Sequence, residues 1–147
     1  MKLAKLARYA LVLALTANSV WAADDAGVVK TRKGSVVIER SGQQMDTPVG
    51  TRKFASDRIV TGTDSSVGIT LRDNTLLSAG ANSTLELNKF SFNSTTHAGT
   101  IDASVKRGTL SVISGKIAKA TPQAVRFTAP GMTLGVRGTS FVIDAGQ

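Results

Sequence analysis

From Val28 onward, apolar residues recur at every second position in short bursts, and small or polar residues break each burst. Val28 and Val29 open the ordered part. Gly34-Ser-Val-Val-Ile-Glu-Arg40 reads as a strand ended by Ser41-Gly42, and 43–51 reads as a loop punctuated by Pro48 and Gly50. Asp57-Arg-Ile-Val-Thr-Gly62 contains a brief strand, with Asp57 placed to cap a turn through its carboxylate. Val67, Ile69 and Leu71 alternate with Gly68 and Thr70, which is strand periodicity with one buried face. After the turn Arg72-Asp73-Asn74 come Leu76 and Leu77, then a turn over 79–83, then two short runs, Leu85/Leu87 and Phe90/Phe92. A polar loop spans 93–99. Ile101, Ala103 and Val105 form the next strand, Lys106-Arg107-Gly108 turns the chain, and Leu110 and Val112 form another. Lys116–Ala120 alone in this part has helical character, and Thr121-Pro122 ends it. Val125 and Phe127 lead to a break at Pro130-Gly131. Met132, Leu134 and Val136 then alternate with polar partners, predicting a buried face, and Phe141 and Ile143 resume after Gly138.

Punctuation of this density, with strands of only a few apolar positions, predicts a mainly β single domain. No true sequence repeat is visible. Even spacing of very short strands suits a β-solenoid, in which each rung buries few side chains against its neighbours. A β-sandwich is the alternative, although its strands are usually longer.

The first residues follow a different rule. Lys2, Lys5 and Arg8 precede an apolar run over 9–17 that is too short to span a bilayer, and Val20-Trp21-Ala22 suits signal peptidase. The expected organisation is a signal peptide over 1–22, a flexible tail over 23–27 and a β domain over 28–147. Export to the periplasm follows, with secretion as the alternative, and no membrane span remains after cleavage. Removing the leader takes three of the 18 Lys and Arg and none of the 10 acids, so the net charge falls from +8 to about +5. Genomic DNA is not an expected partner of an exported protein, and no nucleic-acid role is assigned.

Candidate chemistry is sparse. The 147 residues include no cysteine and one histidine, so thiol nucleophiles, disulfides and histidine-based triads have nothing to build on. His97 lies in a polar loop without a second ligand nearby, and no metal or cofactor is expected. Asp57, Asp64, Asp73, Glu86, Asp102 and Asp144 fall mostly in predicted turns, where an aspartate usually caps backbone amides, so no catalytic residue is assigned. Lys30, Arg32, Lys33, Arg52, Lys53, Lys106 and Arg107 are candidate polyanion contacts if they share a face. Gly135 and Gly138 bracket Arg137, with Thr139 beyond. That arrangement suits either a ligand site or a backbone bend secured by hydrogen bonds.

Taken in order, these segments resemble the FecR domain family of bacterial envelope proteins over about 28–144. The matching pieces are Asp57-Arg-Ile-Val-Thr-Gly62, the central run from Val67 to Leu87, Arg107-Gly-Thr-Leu110, Thr128-Ala-Pro130 and Gly135-Val-Arg-Gly-Thr139. The resemblance implies a mainly β, solenoid-like fold and a part in envelope signalling. In the regulators that define the family, this domain relays the state of an outer-membrane receptor to a cytoplasmic sigma factor across an inner-membrane helix. It marks Asp57, Thr61, Gly62, Pro130, Gly135, Arg137, Gly138 and Thr139 as family-motif positions with structural or partner-binding roles. Only eight residues precede Tyr9 and none follows Gln147, so the expectation is a stand-alone exported domain, without the anti-sigma segment or the secretin/TonB short N-terminal domain. The expected function is a non-enzymatic periplasmic module acting through contacts with an envelope protein. The alternative is an envelope polyanion or glycan binder.

Overall fold

The alternation is realised as two facing sheets. The computed structural model describes residues 24–136 and 140–146. Its strands are β1 (Gly27–Lys33), β2 (Val36–Arg40), β3 (Gln43–Asp46), β4 (Arg52–Lys53), β5 (Arg58–Thr61), β6 (Ser66–Leu71) and β7 (Leu76–Ala79). They continue with β8 (Thr84–Phe92), β9 (Gly99–Arg107), β10 (Thr109–Ile113), β11 (Val125–Ala129), β12 (Met132–Gly135) and β13 (Ser140–Asp144). One short helix, α1 (Lys116–Ala120), and a 3-10 turn (Pro122–Ala124) lie between β10 and β11.

The six-stranded sheet runs β13-β10-β7-β6-β1-β4 and the seven-stranded sheet β12-β11-β9-β8-β5-β2-β3. The protein is thus mainly β. Its short apolar runs are neighbours in antiparallel ladders, and the β9/β11 pair is parallel. Four bent strands pass from one sheet to the other: β1 into β2, β5 into β6, β7 into β8 and β9 into β10. They stack in the order β1/β2, β6/β5, β7/β8, β10/β9, so the two sheets are one folded ribbon.

Inward positions carry the predicted alternation. Val29, Ile38, Ile59, Ile69, Leu71, Leu77, Leu85, Leu87, Ile101, Leu110 and Phe127 are buried in one apolar cluster. Each large aliphatic side chain so buried contributes on the order of 2 kcal/mol from area alone.

The bends repeat a chemical pattern. Gly62-Thr-Asp-Ser65 and Gly80-Ala-Asn-Ser83 turn the chain from β5 into β6 and from β7 into β8. Asp64 and Asn82 adopt positive φ (50° and 51°), which short polar side chains tolerate. The Ser65 hydroxyl donates to Thr63 C=O (2.9 Å) and accepts from Ser35 N–H (2.9 Å). The Ser83 hydroxyl donates to Ala81 C=O (3.2 Å) and accepts from Thr109 N–H (3.0 Å). Gly62 N–H donates to Ser35 C=O and Gly80 N–H to Thr109 C=O. Gly34 and Gly108 complete the match: both have positive φ (69° and 82°), and a Cβ there would collide with Ser65 Oγ and Ser83 Oγ respectively. A structural repeat therefore exists, carried by Gly-x-(Asp/Asn)-Ser and its partner Gly-(Ser/Thr).

Several local expectations change. Residues 43–51, read as a loop, contain β3, whose Gln-Gln-Met-Asp shows no strand alternation because its side chains are mostly exposed. The two runs Leu85/Leu87 and Phe90/Phe92 are one strand, β8, broken in register by a bulge between Leu87 and Lys89. The tail expected over 23–27 is shorter. Ala26 is buried, its N–H donates to Lys53 C=O, and Gly27 already pairs with Leu71.

Candidate functional site

Asp57 opens the family-motif stretch before β5, and the chain folds back so that its carboxylate is almost fully buried. Arg40 on β2 donates to it from Nε and Nη2, both at 2.8 Å, in a bidentate pair. Phe54 N–H donates to the same carboxylate at 2.8 Å, as a turn cap does. The Arg40 guanidinium also lies 4.6 Å from the centroid of the Phe54 ring and donates to Arg52 C=O. Burial pushes the Asp57 pKa up. The bonds from Arg40 and Phe54 and the charges of Lys53 and Arg40 outweigh it and hold the group below the ordinary carboxylate range.

Lys53 is the surprise of this cluster. The sequence groups it with surface cations, yet it is fully buried, its Nζ donating to Asp57 C=O at 3.0 Å. Burial pushes its pKa down to about 8, against the pull of Asp57. It therefore offers nothing to a polyanion. Strand periodicity does not reveal this, because β4 has only two residues and its inward position happens to be a lysine.

Thr61 and Gly62 serve the bends. The Thr61 hydroxyl donates to Gly80 C=O at 2.6 Å and accepts from Ser83 N–H at 2.9 Å, tying one bend to the next. Gly62 C=O accepts from Asn82 N–H. Pro130 and Gly131 form the two-residue loop between β11 and β12, with Gly131 at φ 77°, the pattern of a turn with proline first and glycine second. Gly135 has no positive φ, and among the described residues no atom stands where its Cβ would be. Arg137, Gly138 and Thr139 lie outside the described residues.

The remaining cations divide. Arg32 pairs with Asp46 at 2.9 Å. Lys30 and Lys33 on β1 and Arg52 on β4 are exposed, with Arg52 paired to Val28 at the far end of β1 from Lys33. Lys106 and Arg107 lie three bent strands away, about 14 Å at the usual strand spacing. The seven basic residues are thus not one patch.

The acids are mostly spent internally. Asp73 is buried and accepts from Thr75 N–H, Thr75 Oγ1 and Ile117 N–H, fastening α1 to the β6–β7 turn. Glu39 and Glu86 face each other across a cleft of about 360 Å³, with Arg58 between them, 3.7 Å from Glu39 and donating from Nε to Glu86 at 2.8 Å. A carboxylate pair bridged by arginine is an ion-pair ladder on the sheet surface. A larger open cleft, about 680 Å³, is lined by Ser91, Phe92, Asn93, Thr100 and Thr121, and His97 stacks on Phe92 at its rim.

The last hairpin departs most from its sequence pattern. Val125 and Phe127 are buried on β11, and the Phe127 ring meets Phe141 of β13 edge-on at 5.3 Å between centroids. On β12, Met132 and Leu134 pair with Ala129 and Phe127 and so point to the core side. Met132 is nevertheless 52% exposed. Leu134 is partly buried against the core and Val136 is buried, so the expected face fails at Met132 alone.

These features, and the order of the motifs, agree with the comparison against protein families: the FecR protein family model matches residues 57–147. The chain belongs to the FecR family. No curated protein and no solved structure matches.

Proposed function

We propose that the mature chain is a non-enzymatic periplasmic module that takes part in envelope sensing or signal transduction through protein contacts. Family membership carries this reading. The leader over 1–22 supports export, and no helix among the described residues is long and apolar enough to cross a membrane. The motif residues Asp57, Thr61 and Gly62 are engaged with backbone groups of their own fold. The test uses the tagged full-length protein expressed in its bacterial host, with crosslinking and recovery from the periplasmic fraction. A specific partner from the envelope signalling apparatus supports the proposal. Retention in the cytoplasm, or no partner under efficient crosslinking, overturns it.

A further inference from the structure

The two sheets present different outer faces. On the seven-stranded sheet, Glu39, Arg58 and Glu86 stand in one row and Asp102 and Arg126 in another, so charge crosses the face. On the six-stranded sheet, β6, β7 and β10 contain no charged residue. Their outward aliphatics, Leu76 and Ile113, pair with each other and are 39% and 51% exposed. Val142, on the neighbouring β13, is 68% exposed and pairs with Ser111 beside them. The surface around them is low. A Cβ at Gly68 or Gly80 would collide with the hydroxyl of Thr31 or Thr109, so each threonine lies over a glycine.

The ladders set this face out as rows. The middle row runs Val142, Ser111, Ser78, Gly68 and Thr31 across β13, β10, β7, β6 and β1. On one side of it runs the row Ile113, Leu76, Thr70 and Val28. On the other side, the row that begins at Asp144 and Thr109 ends at Ser66 and Lys33. An acid and a cation thus stand on one row, at the two outermost of five strands. They are four strand spacings apart, about 19 Å, and do not meet within one chain.

Of these five strands β7 is the middle one. A two-fold axis along β7, between two copies placed face to face, carries β13 onto β1 and β10 onto β6 and keeps every row on itself. Asp144 of one copy then lies over Lys33 of the other, twice. Ile113 lies over Thr70 and Ser111 over Gly68, a larger side chain opposite a smaller one in each case, and Ser78 lies over itself. Facing sheets pack about 10 Å apart, a gap that lysine and aspartate side chains bridge. β4, with Arg52, lies beyond the overlap. The mature chain carries a net charge of about +5, which opposes most approaches of two copies. This approach sets neutral strands together at the centre and opposite charges at the margins.

We propose that the outer face of the six-stranded sheet binds a second copy of this chain, in a two-fold dimer closed by two Asp144–Lys33 pairs. The overlap measures about 19 Å by about 13 Å between its outermost Cα positions. That is a smaller patch than the roughly 800 Å² each partner gives to a stable complex. The dimer is accordingly weak and reversible, forming at about 100 μM and above. It goes beyond the proposed envelope role and does not depend on it.

Sedimentation equilibrium of the mature protein from about 10 μM to about 1 mM, with NMR over the same range, tests the proposal. The expected result is a monomer–dimer equilibrium, with concentration-dependent shifts of the Leu76, Ile113 and Val142 methyls. Lys33→Asp and Asp144→Lys each bring like charges together and are expected to raise the dissociation constant about fivefold or more. The double variant restores opposite charges and is expected to return close to the wild-type value. Because the two residues are four strands apart in one chain, that rescue passes only between copies. Ser78→Arg sets two cations against each other on the axis and is expected to abolish the dimer. Circular dichroism and the melting temperature check that this exposed substitution leaves the fold intact. A monomer throughout the range, shifts confined to another face, wild-type dimerisation of a folded Ser78→Arg, or a double variant no better than the single ones overturns the proposal.

Discussion

Asp57 and Met132 lie toward opposite ends of the same pair of sheets, and the molecule treats them in opposite ways. Asp57, an acid, is 1% exposed, and Met132, an apolar residue on the core side, is 52% exposed. Toward the β3/β4 end, charge is drawn inward: Arg40, Lys53 and the Phe54 amide converge on one carboxylate and its carbonyl, and short polar strands seal the edges. At the β12/β13 end, Met132 and Val142 are exposed. The same alternation of sides along a strand therefore buries an acid at one end and leaves an apolar side chain exposed at the other. The family-motif aspartate thereby serves to build the β3/β4 end.

Removing the centre of the β3/β4 end tests this contrast most severely. Asp57→Ala leaves Lys53 buried without its counter-charge, Arg40 without its bidentate partner and the Phe54 amide unpaired. The expected loss is about 3–5 kcal/mol of unfolding free energy in urea titration.

Lys53 gives a pH signature of that same end. Its folded pKa, about 8, lies below its unfolded value of 10.5, so the unfolded chain binds more protons between those limits. Stability from this group therefore rises with pH across about 8 to 10.5, and the cost of burying the cation is fully present below pH 8. Lys53→Met is expected to remove that rise. The stability gap between variant and wild type should shift by about 3 kcal/mol over the window, read from denaturation midpoints. A parallel pair of pH profiles would contradict the burial of a titrating Lys53.

The bends belong to both ends and should weaken each equally. Ser83→Ala leaves Thr109 N–H without its acceptor and is expected to cost about 1–3 kcal/mol. Ser65→Ala, losing the matching bond to Ser35, should cost a similar amount, and a marked inequality would break the structural repeat. The smallest effect belongs to the β12/β13 end. Met132→Thr should change stability by less than about 0.5 kcal/mol in thermal melts, because the side chain is half exposed.

Much of the fold was legible in the residues. Val67-Gly-Ile-Thr-Leu71 and Ile101-Asp-Ala-Ser-Val105 announce strands because a half-buried strand forces alternation, and the structure buries the expected phase of each. β3 was not legible, since an edge strand with exposed side chains leaves no apolar trace. The repeat of the bends was hidden for a different reason. Its markers are two tetrapeptides and two glycines, Gly34 and Gly108, whose spacing becomes meaningful only when the strands between them are folded together.

The candidate site divides the same way. That Asp57 caps a turn could be read from its place before a strand, and Pro130-Gly131 announced its own hairpin. That Lys53 is buried, that Glu39 and Glu86 share Arg58, and that Met132 is exposed could not be read, because each depends on which strands become neighbours. The sequence by itself determined the mainly β class, the positions of most strands and the family. The tertiary structure alone decided which apolar positions are covered. Alternation specifies the side of a strand that faces the core, while covering that side requires a strand opposite, and the count of strands in the two sheets is a property of the folded ribbon.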